Sequence, residues 1–167
     1  MFPYKFQQLF LPFYMLMCIY STAQTSTDQK KQDKYAQLKS MIDSRHFQFH
    51  ALSATSMKGK TVQLSSEFFL KLNKDSLDVD LPYYGRSYTA DYPGTDVSVR
   101  FKSNQFTYSA DSTKKGGWEI AIIPKNESKA NKIYMSITSS GYCSLNISSN
   151  NRQAISYYGY IKDYDAR

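Results

Sequence analysis

The sequence predicts a mainly β protein, an antiparallel barrel, part-barrel or two-layer sandwich of about nine strands, with one short N-terminal amphipathic helix. Three observations predict it. Apolar and polar residues alternate with a period of two from Phe47 to Ile161. The alternating runs are short and are separated by clusters of Gly, Asn, Asp and Ser. A period near 3.6 occurs once, just ahead of the first run. Such alternation gives each strand one buried and one wetted face, the habit of antiparallel sheets.

The 167 residues have room for one ordinary domain. Lys5 is the only charge before Asp28, an apolar stretch from Leu9 to Tyr20 is broken only by Pro12, and Ser21-Thr22-Ala23 supplies small residues. A positive start, an apolar centre and a small-residue exit describe a signal peptide over residues 1–23, cut after Ala23. The stretch falls short of the roughly 20 apolar residues that span a bilayer. Met17 stands before Cys18, where lipid attachment calls for a small residue. The expected product is exported, periplasmic or envelope-associated, with no transmembrane span in the mature chain.

Residues 24–33 are Gln, Thr, Ser, Asp and Lys and predict a mobile leader, because they have no apolar surface to offset the entropy of ordering. The remaining 34–167 read as a single β-rich domain. Tyr35, Leu38, Met41 and Ile42 recur at helical steps and predict a helix from Lys34 to Ser44, with Asp33 as its N-cap. Strands are then expected around Phe47 and Phe49, Val62 and Leu64, Phe68 to Leu72, and Leu77 to Leu81. Further runs follow at Val97 to Phe101, Phe106 to Ala110, Trp118 to Ile122, Ile133 to Ile137, Cys143 to Ile147 and Gln153 to Ile161. Asn150-Asn151 tolerate positive φ and predict a tight final hairpin.

The formal charge of +7 loses one unit with Lys5 and is scattered over Lys30, Lys31, Lys34, Lys114, Lys115, Lys125, Lys129 and Lys132. Nucleic-acid binding needs a contiguous basic stripe, so it is not expected. The partner expected instead is a protein, glycan or lipid of the envelope.

His46 and His50 fall on one face of a strand, about 13 Å apart at ~3.3 Å per residue, too far to share an ion. Cys143 alternates in register with Leu145 and Ile147, which points its thiol into the core, where it is inert. Asp75, Asp78 and Asp80 lack the central Gly and closing Glu of a calcium loop, and two of them suit a solvent face. No phosphate loop, nucleophile elbow or metal-binding helix motif occurs. No catalytic residue, metal or cofactor is expected.

Tyrosine is the unusual part of the composition. The loop Leu81-Pro82-Tyr83-Tyr84-Gly85-Arg86-Ser87-Tyr88-Thr89-Ala90-Asp91-Tyr92-Pro93-Gly94 concentrates rings beside an arginine. Two readings are open: a contact surface for sugar rings or a protein, or rings that close one end of the barrel with the arginine stacked on them. In Ser156-Tyr157-Tyr158-Gly159-Tyr160-Ile161 the tyrosines fall on both faces of the last strand. The candidate binding residues are Tyr83, Tyr84, Arg86, Tyr88, Tyr92, Arg152 and Tyr158.

Leu81-Pro82-Tyr83-Tyr84-Gly85-Arg86-Ser87-Tyr88, and the stretch from Ser139-Ser140-Gly141-Tyr142 to Ser156-Tyr157-Tyr158-Gly159, resemble the domain of unknown function 4251 of exported Gram-negative bacterial proteins. The resemblance runs from near Tyr35 to Ile161. It implies an envelope address and one compact domain, and it carries over no catalytic residue. At the matching positions it implies tight backbone geometry at Gly85, Gly141 and Gly159, and guanidinium ties between loops at Arg86 and Arg152. Cys143 stands where such sequences would hold a small residue. The function expected is a non-catalytic binding or interaction module; its rivals are a carrier or sensor of a small apolar ligand within a part-barrel and, third, a hydrolase of glycan or peptide.

Overall fold

The computed structural model describes residues 21–86, 98–125, 127 and 129–165, with only the backbone described for 21–28. The chain divides into two units, Met1–Gln37 and Leu38–Arg167. One helix, α1 (Ser21–Asp43), crosses that division. It starts earlier than Lys34 and runs through the segment expected to be a leader. That segment holds no Gly or Pro, and its Lys and Gln residues are good helix formers, so nothing local stops the helix there.

Within the second unit, Leu38, Met41 and Ile42 of α1 are buried, which is the apolar stripe the spacing predicts. The helix ends at Arg45, which turns into the left-handed region (φ 54°). Ser44 N–H donates to Ser40 O (3.0 Å), and the Ser44 hydroxyl donates to Met41 O (3.2 Å). These bonds satisfy carbonyls that the last turn would otherwise leave open.

Among the described residues nine strands follow: β1 (His46–Ser56), β2 (Thr61–Asn73), β3 (Ser76–Leu81), β4 (Val99–Ser103), β5 (Phe106–Ser112), β6 (Trp118–Pro124), β7 (Lys132–Ile137), β8 (Tyr142–Ser148) and β9 (Ile155–Lys162). All the pairings are antiparallel, in the order β4-β3-β2-β1-β9-β8-β7-β6-β5, and the sheet curls into a nearly closed barrel. Two meanders, β1 to β4 and β5 to β9, are joined by the single non-sequential pair β1–β9. The outer strands β4 and β5 are consecutive in the chain, so the seam of the barrel is crossed by the short turn after Ser103, where Gln105 N–H donates to Ser103 Oγ (3.2 Å).

The inward positions are those the alternation selects. Phe47, Phe49, Leu70, Leu72, Leu77, Val79, Ile120, Ile122, Ile133, Met135, Leu145 and Tyr157 fill the interior with almost no exposure. The carrier reading gains no support from an interior so occupied. Val97 lies outside the described residues.

Three local expectations change. The runs around Val62 and Phe68 belong to one strand, β2, which bulges: residues 64–67 stand opposite Leu52 of β1 alone, between the pairs Ala51↔Phe68 and Ser53↔Gln63. The final connection is not a tight hairpin; among the described non-glycine residues positive φ falls at Arg45 and Lys74, not at Asn150 or Asn151. Ser149 Oγ accepts from Asn151 N–H (3.3 Å) and Asn150 Oδ1 from Asn131 Nδ2 (2.7 Å), so these side chains hold a longer loop. The last strand begins at Ile155 rather than Gln153, whose backbone is drawn aside to Arg86.

The pair β1–β9 is closest at Gly159. A Cβ built there would lie 1.9 Å from His50 O and 2.9 Å from the Phe49 ring. Because the nearest atom is backbone, it cannot step aside without parting the strands. Gly159→Ala should therefore cost at least about 2 kcal/mol in urea denaturation, with the slope of the transition unchanged. A loss below about 0.5 kcal/mol, the range of an ordinary surface change, would show that this close approach is not a constraint.

Candidate functional site

The tyrosine loop is held at its start by its own first ring. Tyr83 is buried, and its hydroxyl lies 2.9 Å from the carbonyl oxygens of both Arg86 and Gln153, sharing one proton between them. Gln153 N–H donates to Arg86 O (3.1 Å). The Arg152 guanidinium sits over the Tyr83 ring, 5.3 Å from its centroid, and the Tyr157 hydroxyl donates to Pro82 O (2.8 Å). Gly85 admits the ring, since a Cβ there would meet the Tyr83 hydroxyl at 2.3 Å. The structure thus brings Tyr83, Arg86 and Arg152 together as a clasp between two loops. Arg86 joins it through its main chain, where the resemblance implied its guanidinium. Tyr84 is 46% exposed. Tyr88 and Tyr92 lie outside the described residues.

Tyr158 faces the other way, onto the outside of the sheet. There Phe69, His50, Tyr160 and Tyr142 stand side by side in register across β2, β1, β9 and β8, through the pairs His50↔Phe69, His50↔Tyr160 and Tyr142↔Tyr160. The His50 and Tyr160 rings are 5.2 Å apart. Tyr142 and Tyr158 are each 48% exposed, with ring planes 6° apart and centroids at 6.0 Å. Among the described residues His50 Nδ1 is buried with no hydrogen-bond partner.

Next to this row lies a second, polar one: Lys102, Asp78, Lys71, Gln48 and Lys162 run across β4, β3, β2, β1 and β9. Asp78 pairs with Lys102 (2.9 Å) and Asp80 with Arg100 (3.0 Å), which employs both carboxylates in cross-strand ion pairs. Gln48 opens on an outer cleft of about 370 Å³, walled by Phe69, Lys71, Lys162 and the tail residues Tyr164 and Asp165. Another outer cleft, of about 570 Å³, lies at the β5–β6 and β7–β8 turns beside Lys114, Lys115 and Glu119.

His46, at the start of β1, has both ring nitrogens facing oxygens: Nδ1 is 3.1 Å from Asn73 Oδ1 and Nε2 is 3.2 Å from Asp165 Oδ2. The bond to Asp165, then that to Asn73, raises its pKa above the ordinary 6.5. Ligand atoms of His46, Asp163 and Asp165 come within 4.8 Å of one another. With both nitrogens engaged, His46 has none left to activate a hydroxyl. Cys143 is buried, and burial pushes its thiol well above the usual range, as its in-register position predicts. Burial likewise pushes Tyr108 up to about 12; its hydroxyl donates to Ile42 O (3.2 Å), and the Arg45 guanidinium covers its ring. Among the described residues no helix is long and apolar enough to cross a membrane.

Residues 29–161 match the family model described as Domain of unknown function (DUF4251). The chain belongs to the DUF4251 family. Among solved structures it is similar to the crystal structure of a DUF4251 family protein from Bacteroides eggerthii, with a TM-score of 0.56 and 15% identity over 78% of this chain and 87% of that one. No curated protein matches.

Sequence reasoning alone did not find the DUF4251 chain's outer aromatic row, the Gln48 cleft or the His46–Asp165 pair. Each depends on register between strands far apart in sequence, and period-two alternation says which face a residue takes but not which residue stands beside it.

Two outcomes follow from these contacts. Tyr83→Phe keeps the ring under Arg152 and removes the shared hydroxyl, so it should cost about 1–2 kcal/mol in thermal or urea unfolding. A variant as stable as wild type would mean the clasp closes without it. For His46, a folded-state pKa above 6.5 means that its bond to Asp165 stabilises the fold below 6.5 and loses that effect as pH rises through the folded value. An NMR titration of His46 should therefore have its midpoint above 6.5 and move back towards it in Asp165→Asn. Identical midpoints would remove Asp165 as the cause.

Proposed function

We propose that this DUF4251 chain is an exported, non-catalytic binding module of the bacterial envelope that meets its ligand on the outer face of β8, β9, β1 and β2. The observation that carries this reading is the Tyr142–Tyr158 pair, two parallel rings on adjacent strands, each half exposed, at the end of a row that continues through Tyr160, His50 and Phe69. Single exposed apolar residues need no explanation, but aromatics gathered in register on one face are the usual mark of a contact surface. Tyrosine offers a broad apolar face and a hydroxyl at little entropic cost, which suits a ligand that is partly polar.

The N-terminal pattern around Lys5, Leu9 to Tyr20 and Ala23 supports export. The buried thiol of Cys143 and the double engagement of His46 support a binding role over a hydrolytic one. Of the residues first singled out, Tyr158 belongs to this face, whereas Tyr83 and Arg152 act in the clasp.

Purified protein should co-sediment with Gram-negative envelope fractions, and Tyr142→Ala/Tyr158→Ala should remain in the supernatant at an unchanged melting temperature. Equal sedimentation of the two proteins would remove this face from the reading.

A further inference from the structure

The imidazole at the start of β1 is aimed by one oxygen at two others. His46 stands opposite Asn73 of β2, whose Oδ1 lies 3.1 Å from Nδ1. A carbonyl oxygen only accepts, so Nδ1 carries a hydrogen and donates it, and in the neutral ring Nε2 holds a lone pair. That lone pair points at Asp165 Oδ2, 3.2 Å away. Two acceptors meeting in this way need a cation between them.

Asp163, the first residue after β9, is the third member of the group. Its Oδ1 accepts from Asp165 N–H (3.1 Å), and ligand atoms of both carboxylates and of His46 lie within 4.8 Å of one another. Among the described residues neither carboxylate pairs with a lysine or arginine, although the chain holds 21 of those against 14 acids. Arg45, the neighbour of His46 in the chain, covers the Tyr108 ring, and Lys102 is committed to Asp78. A proton on Nε2 serves one carboxylate and leaves the other uncompensated. A divalent cation serves all three donors at once.

The spacing and the donor set say which cation. Ligand atoms about 2.1 Å from a tetrahedral zinc ion stand about 3.4 Å from one another. The 3.2 Å between Nε2 and Asp165 Oδ2 is already that distance, and a small rotation of the Asp163 carboxylate closes the third side. Giving the remote ring N–H to an oxygen, as His46 does to Asn73, is how metal-binding imidazoles are held. One nitrogen with two carboxylate oxygens suits zinc and its first-row neighbours, whereas calcium and magnesium take all-oxygen sets.

We infer that His46 Nε2, Asp163 and Asp165 form a binding site for a zinc-type divalent cation, with Asn73 as the positioning residue. The site shares no residue with the aromatic pair of the outer face and does not depend on the reading of that face. Its occupant would tie the segment after β9 to the first residue of β1.

The test uses the full purified chain, free of any affinity tag and stripped with chelator, titrated with zinc chloride at about pH 7.5, where metal competes well with protons. Calorimetry should give one saturable site with a Kd below about 100 µM. Imidazole nitrogen NMR should show Nε2 of His46 shifting on binding while the ring of His50, the only other histidine, stays put. Asp163→Asn and Asp165→Asn should each weaken zinc at least about tenfold, as should Asn73→Ala, while Asn73→Asp, which keeps the acceptor, should retain binding. Zinc should also raise the melting temperature of wild type, and not that of Asp163→Asn. Should a variant fail to fold, the wild-type ring spectrum decides by itself. The inference is overturned if zinc does not saturate below about 1 mM, if the shift falls on His50, or if Asp163→Asn binds as wild type does. Magnesium or calcium binding as tightly as zinc, with the His46 ring unmoved, would also overturn it, because the carboxylates would then be acting without the imidazole.

Discussion

The pairing of β1 with β9 is the constraint on which the rest of the structure depends. Each meander alone is an open ribbon with an apolar face it cannot cover, and only this pair makes them one barrel with a shared interior. The join is tight because Gly159 has no side chain. The Phe49 ring and the His50 carbonyl occupy the space a Cβ would take, and Cys143 stands opposite Gly159 on the other side. The small residue expected at position 143 finds its reason here: two strands converge on a glycine, and a bulky neighbour would have little room.

The same pairing builds the outer surface. His50 reaches Phe69 on one side and Tyr160 on the other only because β1 lies between β2 and β9. One step along, Gln48 is flanked by Lys71 and Lys162 for the same reason. A slip of one residue between β1 and β9 would turn Tyr157 outward and Tyr158 inward, exchanging core for surface. The packed interior and the aromatic row are two products of one register.

This explains what could be read from the residues in order. Burial of Ile120, Leu145 and Cys143 was legible, because alternation is local and each strand declares its own faces. The break between the runs ending at Leu72 and starting at Leu77, and the helical stripe of Leu38, Met41 and Ile42, were legible for the same reason. The start of α1 was not, since a polar segment without Gly or Pro has no local stop signal. The clasp was half legible. Rings closing one end with an arginine stacked on them was one of two readings of the loop, but the stacked arginine is Arg152, distant in sequence from Tyr83. The Gln48 cleft was not legible at all, because its walls come from β1, β2 and the tail after β9.

The strand order has a consequence for the life of the chain. The sheet's middle strand is the last of its strands to be synthesised, since β9 enters between β1 and β8. Until residues 155–162 are available, β1 presents one bare backbone edge and a naked apolar face, a template for association with other chains. The sheet cannot close prematurely around an incomplete product, and a chain cut short before β9 loses its keystone rather than a trim.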